Sequence, residues 1–309
     1  MTSPSPHKHV LVVSYSQSGQ LTRLVEQFVA PLYAENQITV EHVQLQAQPE
    51  FAFPWRFLPF FNTFPETVHL QPRPIAAPQL QRERYDLVII AYTVWFLSPA
   101  QPITAFMQSA IAKQVLSDTP VVTLIGCRNM WLMAQEKMKT LLSNVGARLV
   151  GNVVKIDQCS SAASFITTPL WMLTGKKQAV SWLPAAGISE ADMADSVRFG
   201  QKIAHALCDN AVLDTDLLRH MGAVKINEKL IASEKIAHRS FYLWGKLIMA
   251  VGRKSRALRL ATVCFYILFL ITIILTVVPI SALIKILLAP ILHQRTQAQK
   301  DYYSFPSGE

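Results

Sequence analysis

The chain has 309 residues, of which 51% are hydrophobic and only 16% are charged, and its formal net charge at pH 7 is +9. This composition excludes a wholly disordered chain, and the length predicts about two domains. Four cysteines are too few for a disulfide scaffold, and the first nine residues lack the apolar core of a cleaved signal, so a reducing compartment is expected.

Residues 1–209 alternate apolar runs with segments of helical spacing. Five short runs rich in β-branched residues predict strands at 10–14, 38–43, 87–91, 120–126 and 148–154. Helices are predicted over 21–32, over 102–115, from an N-cap at Asn129 to about Gly146, and over 193–207. This alternation predicts a parallel sheet with helices on both faces, and five strands fit the flavodoxin-like order 2-1-3-4-5. Ligands of such sheets bind at the carboxyl ends of the strands, which directs attention to three loops.

The loop after the first strand, residues 14–22, reads SYSQSGQLT and leads into a predicted helix. Helix N-terminal amides and small hydroxyl groups form binding sites for phosphate. The loop contains neither a G-x-G-x-x-G fingerprint nor a P-loop lysine, so a dinucleotide or P-loop site is not indicated. Ordinary helix capping by Ser18 and Thr22 is the plain alternative.

The loops after the third and fourth predicted strands read AYTVWFLSP over 91–99 and GCRNMW over 126–131. In the first, Tyr92, Trp95 and Phe96 are candidates for contact with a flat aromatic ring. In the second, glycine allows a close approach of backbone and ligand, and Arg128 is a candidate for binding a carboxylate. Arg128 as a plain surface charge is an equal alternative, and Cys127 is interpreted as a small buried residue rather than a nucleophile.

Two insertions interrupt the strand–helix pattern, at 45–85 and 157–188. The first holds seven aromatic residues among prolines: Phe51, Phe53, Trp55, Phe57, Phe60, Phe61 and Phe64. A lid over an apolar ligand, a loop that dips into a membrane and a separate small core all remain open. Lys176 and Lys177 in the second insertion could meet lipid headgroups or an acidic carrier protein, or be a solvated pair. The histidines are scattered without a metal-binding motif, so no metal is expected.

The C-terminal region, 253–309, carries the strongest apolar run and much of the positive charge. Residues 260–284 have no charged side chain and are long enough to span a bilayer, and four basic residues precede them: Arg253, Lys254, Arg256 and Arg259. The positive-inside rule then places the α/β part on the cytoplasmic side of a bacterial inner membrane. Membrane apposition explains the charge better than nucleic acid does. Whether the chain turns back near Pro279 stays open.

Residues 210–252 form a predicted linker with an amphipathic helix over about 226–252. Its apolar positions follow each other at steps of three or four residues: Ala237, Phe241, Trp244, Ile248 and Val251. The helix either lies in the membrane interface or packs on the α/β domain.

The string VVSYSQSGQLT resembles the FMN phosphate loop of flavodoxin-like proteins. The resemblance implies that the FMN phosphate is surrounded by Ser16, Ser18, Gly19, Gln20, Leu21 and Thr22. The second and third loops would then contact the flavin through Tyr92, Thr93, Val94, Trp95, Gly126, Cys127, Asn129 and Trp131. Arg128 and Tyr92 are the candidates for catalytic roles, and Tyr15 is a further candidate for proton transfer.

Four longer strings resemble the bacterial dialkylresorcinol-forming enzymes: YSQSGQLT, FPWRFLPFFNTFPE, YDLVIIAYTVWFLSPAQPI and TLIGCRNMWLMAQEKMK. These flavodoxin-like proteins accompany ketosynthase-type partners in dialkylresorcinol and aryl polyene pathways. The resemblance implies an FMN-dependent aromatase that oxidises a carboxylated cyclohexane-1,3-dione, with decarboxylation, to a resorcinol. It implies a lipid-like polyketide substrate, and a ketosynthase and an acyl carrier protein as partners. A membrane-tethered scaffold that recruits those partners and a general NAD(P)H:quinone reductase are the alternatives.

Overall fold

The computed structural model describes residues 7–276 and 297–308. Within this part, six strands form one sheet: β1 Lys8–Ser14, β2 Ile38–Gln44, β3 Leu87–Trp95, β4 Ser98–Pro99, β5 Pro120–Cys127 and β6 Arg148–Ile156. The order is β2-β1-β3-β5-β6 with all neighbours parallel, while the two-residue β4 pairs antiparallel with β3. The five long strands therefore confirm the predicted flavodoxin-like order.

Helices cover both faces of the sheet. The numbered helices are α1 Gln20–Tyr33, α2 Phe57–Asn62, α3 Phe64–Val68, α4 Gln101–Met107, α5 Ala110–Leu116, α6 Leu132–Asn144, α7 Ser161–Thr174, α8 Glu190–Asp195, α9 Val197–Cys208, α10 Glu228–Gly252 and α11 Arg256–Leu275. Residues 297–304 are also helical. Val10 and Val12 of β1 pack with α1 and α9, whereas Leu11 and Val13 pack with the layer of α4, α5 and α6. This division follows from the alternation of side chains along a strand.

Two predicted helix boundaries are wrong for local reasons. The single helix predicted over 102–115 is two helices, because Ser109 begins a new one by accepting a hydrogen bond from the amide of Ala112. The predicted N-cap at Asn129 does not cap α6, which begins three residues later. Met130 has a left-handed backbone (φ +47°), so the chain turns before the helix starts at Leu132.

The first insertion connects the sheet to the C-terminal helices. The ring of Phe64 in α3 stacks on that of Tyr266 in α11, with 4.4 Å between centroids. Arg259 of α11 forms a two-pronged ion pair with the carboxylate of Glu66, both contacts at 2.8 Å. Bidentate arginine–carboxylate pairs fix geometry as well as adding attraction. The part of α11 from Arg259 to Tyr266 is therefore tied to the α/β domain.

Helix α10 packs on protein through its apolar face. It contacts α3, α6 and α11, and Phe241, Trp244 and Ile248 join a cluster with residues of α3 and α11. The apolar face of α10 therefore packs on protein, which is the second of the two interpretations of this helix.

The chain end returns to the α/β domain. The side chain of Tyr303 is buried in the main core, and the amide of Asn152 in the edge strand β6 donates to Ser307 Oγ at 2.8 Å. An edge strand leaves backbone donors without a strand partner, and the serine hydroxyl satisfies this one. Residues 297–308 of the predicted anchor 253–309 thus contact the α/β domain, while 277–296, which include Pro279, lie outside the described residues.

Close packing of α1 against α9 gives a test of the layer that supports the first loop. A Cβ at Gly200 would lie 1.9 Å from the backbone oxygen of Phe28. We therefore expect Gly200→Ala to lower the free energy of unfolding by about 1–3 kcal/mol, because the two helices must separate. Denaturant unfolding measures the change. The exposed neighbour Gln201 is the control, and Gln201→Ala should change stability by less than about 0.5 kcal/mol; equal stability of both variants contradicts the packing.

Candidate functional site

The loop between β1 and α1 leaves hydrogen-bond donors free at the carboxyl edge of the sheet. Gly19 occupies the N-cap position of α1 in a left-handed conformation (φ +77°), which favours glycine, and no side chain caps the first turn. The hydroxyl oxygen of Ser16 is buried and has no hydrogen-bond partner among the described residues. Buried hydroxyls are normally paired, so this one marks a position where a ligand atom fits.

A cavity opens where β1, β3 and β5 end. Its lining includes predicted residues from all three loops: Ser18, Gln20, Leu21, Thr93, Val94, Trp95, Phe96, Gly126, Cys127 and Arg128. The structure thus brings together most of the residues that the sequence assigned to a flavin site, as expected for a parallel sheet whose strands end at one edge.

The two insertions close this cavity from outside. They contribute Phe53, Phe60, Asp157, Thr168, Trp171, Met172, Gly187 and Ile188 to its lining. Sequence reasoning assigned no single one of these residues to the site, and its only signal was the apolar, aromatic composition of the insertions. Other aromatic residues of the first insertion, Phe51 and Trp55, are buried in the main core. The insertion therefore lines the cavity with some of its aromatic residues and adds others to the main core, rather than to a separate small core.

Trp95 is held in place by a cluster of aromatic rings. Its ring meets those of Phe51, Trp55 and Tyr15 edge to face, at 5.0, 5.6 and 5.9 Å between centroids. The following residues, Phe96 and Leu97, both have left-handed φ angles (+48° and +57°) in the two-residue turn to β4. Such a turn matches the twist of a hairpin but strains residues other than glycine, and strain of this kind collects at functional sites.

The first loop and the first insertion are tied together by a side-chain amide. The indole nitrogen of Trp55 donates to Gln17 Oε1, and Gln17 Nε2 donates to the backbone oxygen of Ala52, both at 2.7 Å. These bonds couple the position of the lid to the loop that carries Ser16.

Arg128 is a largely buried cation without an ion pair. Its guanidinium lies 4.1 Å from the ring centroid of Phe165, its Nε has no hydrogen-bond partner, and no carboxylate of the described residues lies within 4.0 Å. Burial lowers the pKa of Arg128, against the opposing effect of Asp157 nearby. The carboxylate of Asp157 instead accepts the amides of Cys159 and Gly187. Arg128 can therefore bind an anionic group.

Six predicted site residues do not line this cavity: Ser16 and Gly19 of the first loop, Thr22, Tyr92, Asn129 and Trp131. Tyr92 is fully buried and its hydroxyl donates to Gln135 Oε1 at 2.6 Å, so the predicted proton-transfer role does not fit its position. Burial also raises the pKa of this phenol. Thr22 lies in the first turn of α1 outside the lining, while Asn129 and Trp131 line a second cavity on the far side of Arg128.

Three solved structures resemble this chain at 15% sequence identity or less. No family model matches the sequence, and no curated protein matches it. A flavoprotein in complex with FMN from Lactobacillus acidophilus NCFM is 15% identical over 48% of this chain and 93% of its own, with a TM-score of 0.39. Flavodoxin 1 from Bacillus cereus is 11% identical over 66% of this chain and 99% of its own, with a TM-score of 0.35. An NADH:FMN oxidoreductase is 12% identical over 66% of this chain and 90% of its own, also with a TM-score of 0.35.

All three TM-scores lie below 0.5, so the observed strand order, and not these likenesses, carries the fold assignment. By that order the chain is an α/β protein of flavodoxin-like topology.

The thiol of Cys127 is expected to react slowly with alkylating reagents. Burial raises the pKa of Cys127 strongly, with Glu234 adding to the effect, so the thiol stays protonated at pH 8. Because the thiolate is the reactive form, we expect iodoacetamide to alkylate Cys127 at least about tenfold more slowly than Cys159, which is the control because it is less buried. Peptide mass spectrometry over time measures both rates. Faster alkylation of Cys127 would contradict its interpretation as a small buried residue.

Proposed function

We propose that the chain is a membrane-attached FMN oxidoreductase that acts as an aromatase in dialkylresorcinol or aryl polyene lipid biosynthesis. It would oxidise a carboxylated cyclohexane-1,3-dione, with decarboxylation, to a resorcinol. The observation that supports the flavin part is the buried, unpartnered hydroxyl of Ser16 beside an uncapped helix N-terminus. The aromatase part is supported by the resemblance of the four sequence strings and by the unpaired Arg128.

The first loop fits a phosphate dianion. The N-terminus of α1 carries partial positive charge, and its free amides and the hydroxyls of Ser16 and Ser18 are donors for phosphate oxygens. With the Gln20 amide oriented to satisfy its neighbours, its oxygen accepts from Lys177 Nζ at 3.3 Å and from the amide of Ile188 at 2.9 Å. Lys177 thereby brings a cation close to the loop.

The adjoining cavity fits the flat, mostly apolar ring of a flavin. Trp95, Phe96, Trp171 and Met172 line it, and the backbone near Gly126 can serve the polar edge of the ring. When bound there, FMN supplies a two-electron acceptor, and one dione acid then gives one resorcinol, one carbon dioxide and one reduced flavin. The role of the insertions is to exclude water, and that of Arg128 is to hold the carboxylate.

A chain of aromatic contacts leads from this cavity towards the C-terminal helices. Phe60 lines the cavity and lies 4.8 Å from the ring centroid of Phe96, which lies 5.2 Å from that of Phe64. Phe64 in turn stacks on Tyr266 of α11. These packed rings give the cavity an apolar wall on the side of α11, which suits contact with the alkyl chains of a lipid-like substrate.

FMN binding tests the proposal. Purified wild-type protein should bind FMN and turn yellow, whereas Ser16→Ala should weaken FMN binding roughly ten- to hundredfold, because one hydrogen bond to a charged group contributes about 1.5–3 kcal/mol. Fluorescence quenching of FMN measures both affinities. The control is Ser143→Ala, which changes an exposed serine in α6 and should leave the affinity unchanged.

Three outcomes separate the candidate functions. Wild-type protein that binds no FMN contradicts the proposal and favours the scaffold that recruits ketosynthase and carrier partners. Flavin reduction by a synthetic cyclohexanedione acid, with release of carbon dioxide, supports the aromatase. NADPH-driven turnover of quinones without such reduction supports a general quinone reductase.

The membrane part of the proposal concerns exposed apolar surface on α10 and α11. The segment Arg256–Leu275 is the one helix in residues 7–276 and 297–308 that is long and apolar enough to cross a membrane. However, α11 packs on the domain as far as Leu270, so this part of the helix can meet a membrane only through its exposed side chains. Exposed side chains such as Leu243, Phe265 and Leu268 suit the interface of the cytoplasmic leaflet.

The return of residues 297–308 to β6 predicts that both ends of the apolar segment lie on the cytoplasmic side. We expect Asp209→Cys and Ala298→Cys, both at exposed positions, to react with a membrane-impermeant maleimide in inverted inner-membrane vesicles and not in spheroplasts. Peptide mass spectrometry distinguishes the introduced cysteines from the native ones. Labelling of the two positions from opposite sides would contradict this arrangement.

A further inference from the structure

The second cavity contains a buried carboxylate that the proposed flavin chemistry does not use. Glu234 of α10 is 1% exposed, and its Oε1 accepts the backbone amide of Met133 in the first turn of α6 at 2.7 Å. Its Oε2 is buried and has no hydrogen-bond partner among the described residues. Burial raises the pKa of Glu234 to about 7, although the nearby backbone amides of Met133 and Leu132 at the start of α6 oppose the shift.

This carboxylate faces a cavity of about 410 Å³ beyond the carboxyl ends of β5 and β6. The walls are the loop after β5, the end of β6, part of α8 and the first turns of α10. Helix capping accounts for Oε1 alone. A buried oxygen left without a donor costs free energy, so the position of Oε2 points to a ligand that brings a donor.

Arg128 supplies the opposite charge on the wall between the two cavities. It lines both of them, as does Asp157, and it has no ion pair. Arg128 and Glu234 are not within salt-bridge distance of each other, so neither satisfies the other. A molecule in the second cavity that touches Arg128 is separated from the flavin cavity by that one side chain.

Among the described residues, the cavity therefore presents two cations without an ion pair, the less exposed Arg128 and the exposed Lys225, and one unpaired acceptor to the same space. A single-ring acid with a hydroxyl group carries the two complementary groups, a carboxylate and an O–H donor. Lys155 on the wall is already engaged, because its Nζ donates to Asp195 at 2.6 Å, and Asp195 also accepts from Arg198. Lys225 also lines the cavity, but it is exposed to solvent. The free pair is what selects the ligand.

We propose that the second cavity binds the ring of a hydroxylated or enolic carboxylic acid, with the carboxylate on Arg128 and the hydroxyl donating to Glu234 Oε2. The site does not rest on the proposed flavin function, because a ring bound here lies across Arg128 from the flavin cavity and is not the ring that the flavin would oxidise. Glu234 is a binding residue in this assignment, and α10 completes the site that the α/β domain begins.

Binding of three small probes to flavin-free, detergent-solubilised full-length protein tests the site. The probes are 2,4-dihydroxybenzoate, benzoate without hydroxyls, and resorcinol without the carboxylate. We expect 2,4-dihydroxybenzoate to bind at least tenfold more tightly than either of the others by isothermal titration calorimetry. Equal affinities for the three, or no binding of 2,4-dihydroxybenzoate at millimolar concentration, would overturn the proposal.

Two variants assign the contacts. Glu234→Gln keeps an acceptor for the amide of Met133 but replaces Oε2 by a donor, so it should lower the affinity for 2,4-dihydroxybenzoate to that for benzoate while leaving benzoate binding unchanged. Arg128→Gln should weaken binding of both acids at least tenfold. The control is Glu228→Gln at an exposed position of the same helix outside the cavity, which should change neither affinity.

The result does not depend on a single variant. If Glu234→Gln fails to fold by circular dichroism, the three-probe comparison on the wild type still decides the hydroxyl preference. Unchanged 2,4-dihydroxybenzoate binding in a folded Glu234→Gln protein overturns the role of Glu234. Acid binding without FMN binding overturns only the proposed flavin function, and FMN binding without acid binding overturns only this site.

Discussion

Parallel pairing of β1, β3 and β5 is the constraint on which the rest of the structure depends. Parallel strands deliver their carboxyl ends to one edge, so three loops that are far apart in sequence must meet there. At that edge the chain turns from β1 into α1 through Gly19, and the turn leaves the first helical amides without caps. The direction of the strands thus fixes where the site lies, and the side chains of the three loops then determine what it can bind.

The insertions and the C-terminal helices convert this common arrangement into a particular one. The first insertion is linked to the first loop through Gln17 and Trp55, and to α11 through Glu66 and Arg259. A motion of α11 relative to the sheet would therefore displace the first insertion and, through it, the loop that carries Ser16. This coupling gives a physical reason for an apolar C-terminal region in the same chain as the proposed flavin site: it places the cavity next to the surface from which a lipid-like substrate would arrive.

The sheet was predictable because buried parallel strands must be apolar on both sides, and short runs such as 10–14 and 87–91 satisfy that requirement in the sequence alone. The sequence did not reveal that Asn129 fails to cap α6, because capping chemistry at Asn129 does not indicate the left-handed turn that follows at Met130. The buried position of Tyr92 was missed for a related reason, since alternation along β3 directs this side chain into the core.

Glu234 illustrates the limit of motif reasoning. It lies about a hundred residues from Met133, and no motif joins the two. A signal was present, because Glu234 lies on the same helical stripe as Ile231, Phe241 and Ile248, where a carboxylate is unexpected. Likewise the polar, tyrosine-containing end of the chain did not resemble the apolar segment before it, and it packs on β6 instead.

The central claim is that the β1–α1 loop binds the phosphate of FMN. The most direct measurement is a comparison of the dissociation constants of FMN and riboflavin, which differ by that phosphate, for the purified wild-type protein at moderate ionic strength. Several charge-assisted hydrogen bonds to one dianion predict that FMN binds at least roughly a hundredfold more tightly. Equal affinities for the two would contradict the account, because the loop would then contribute nothing to binding.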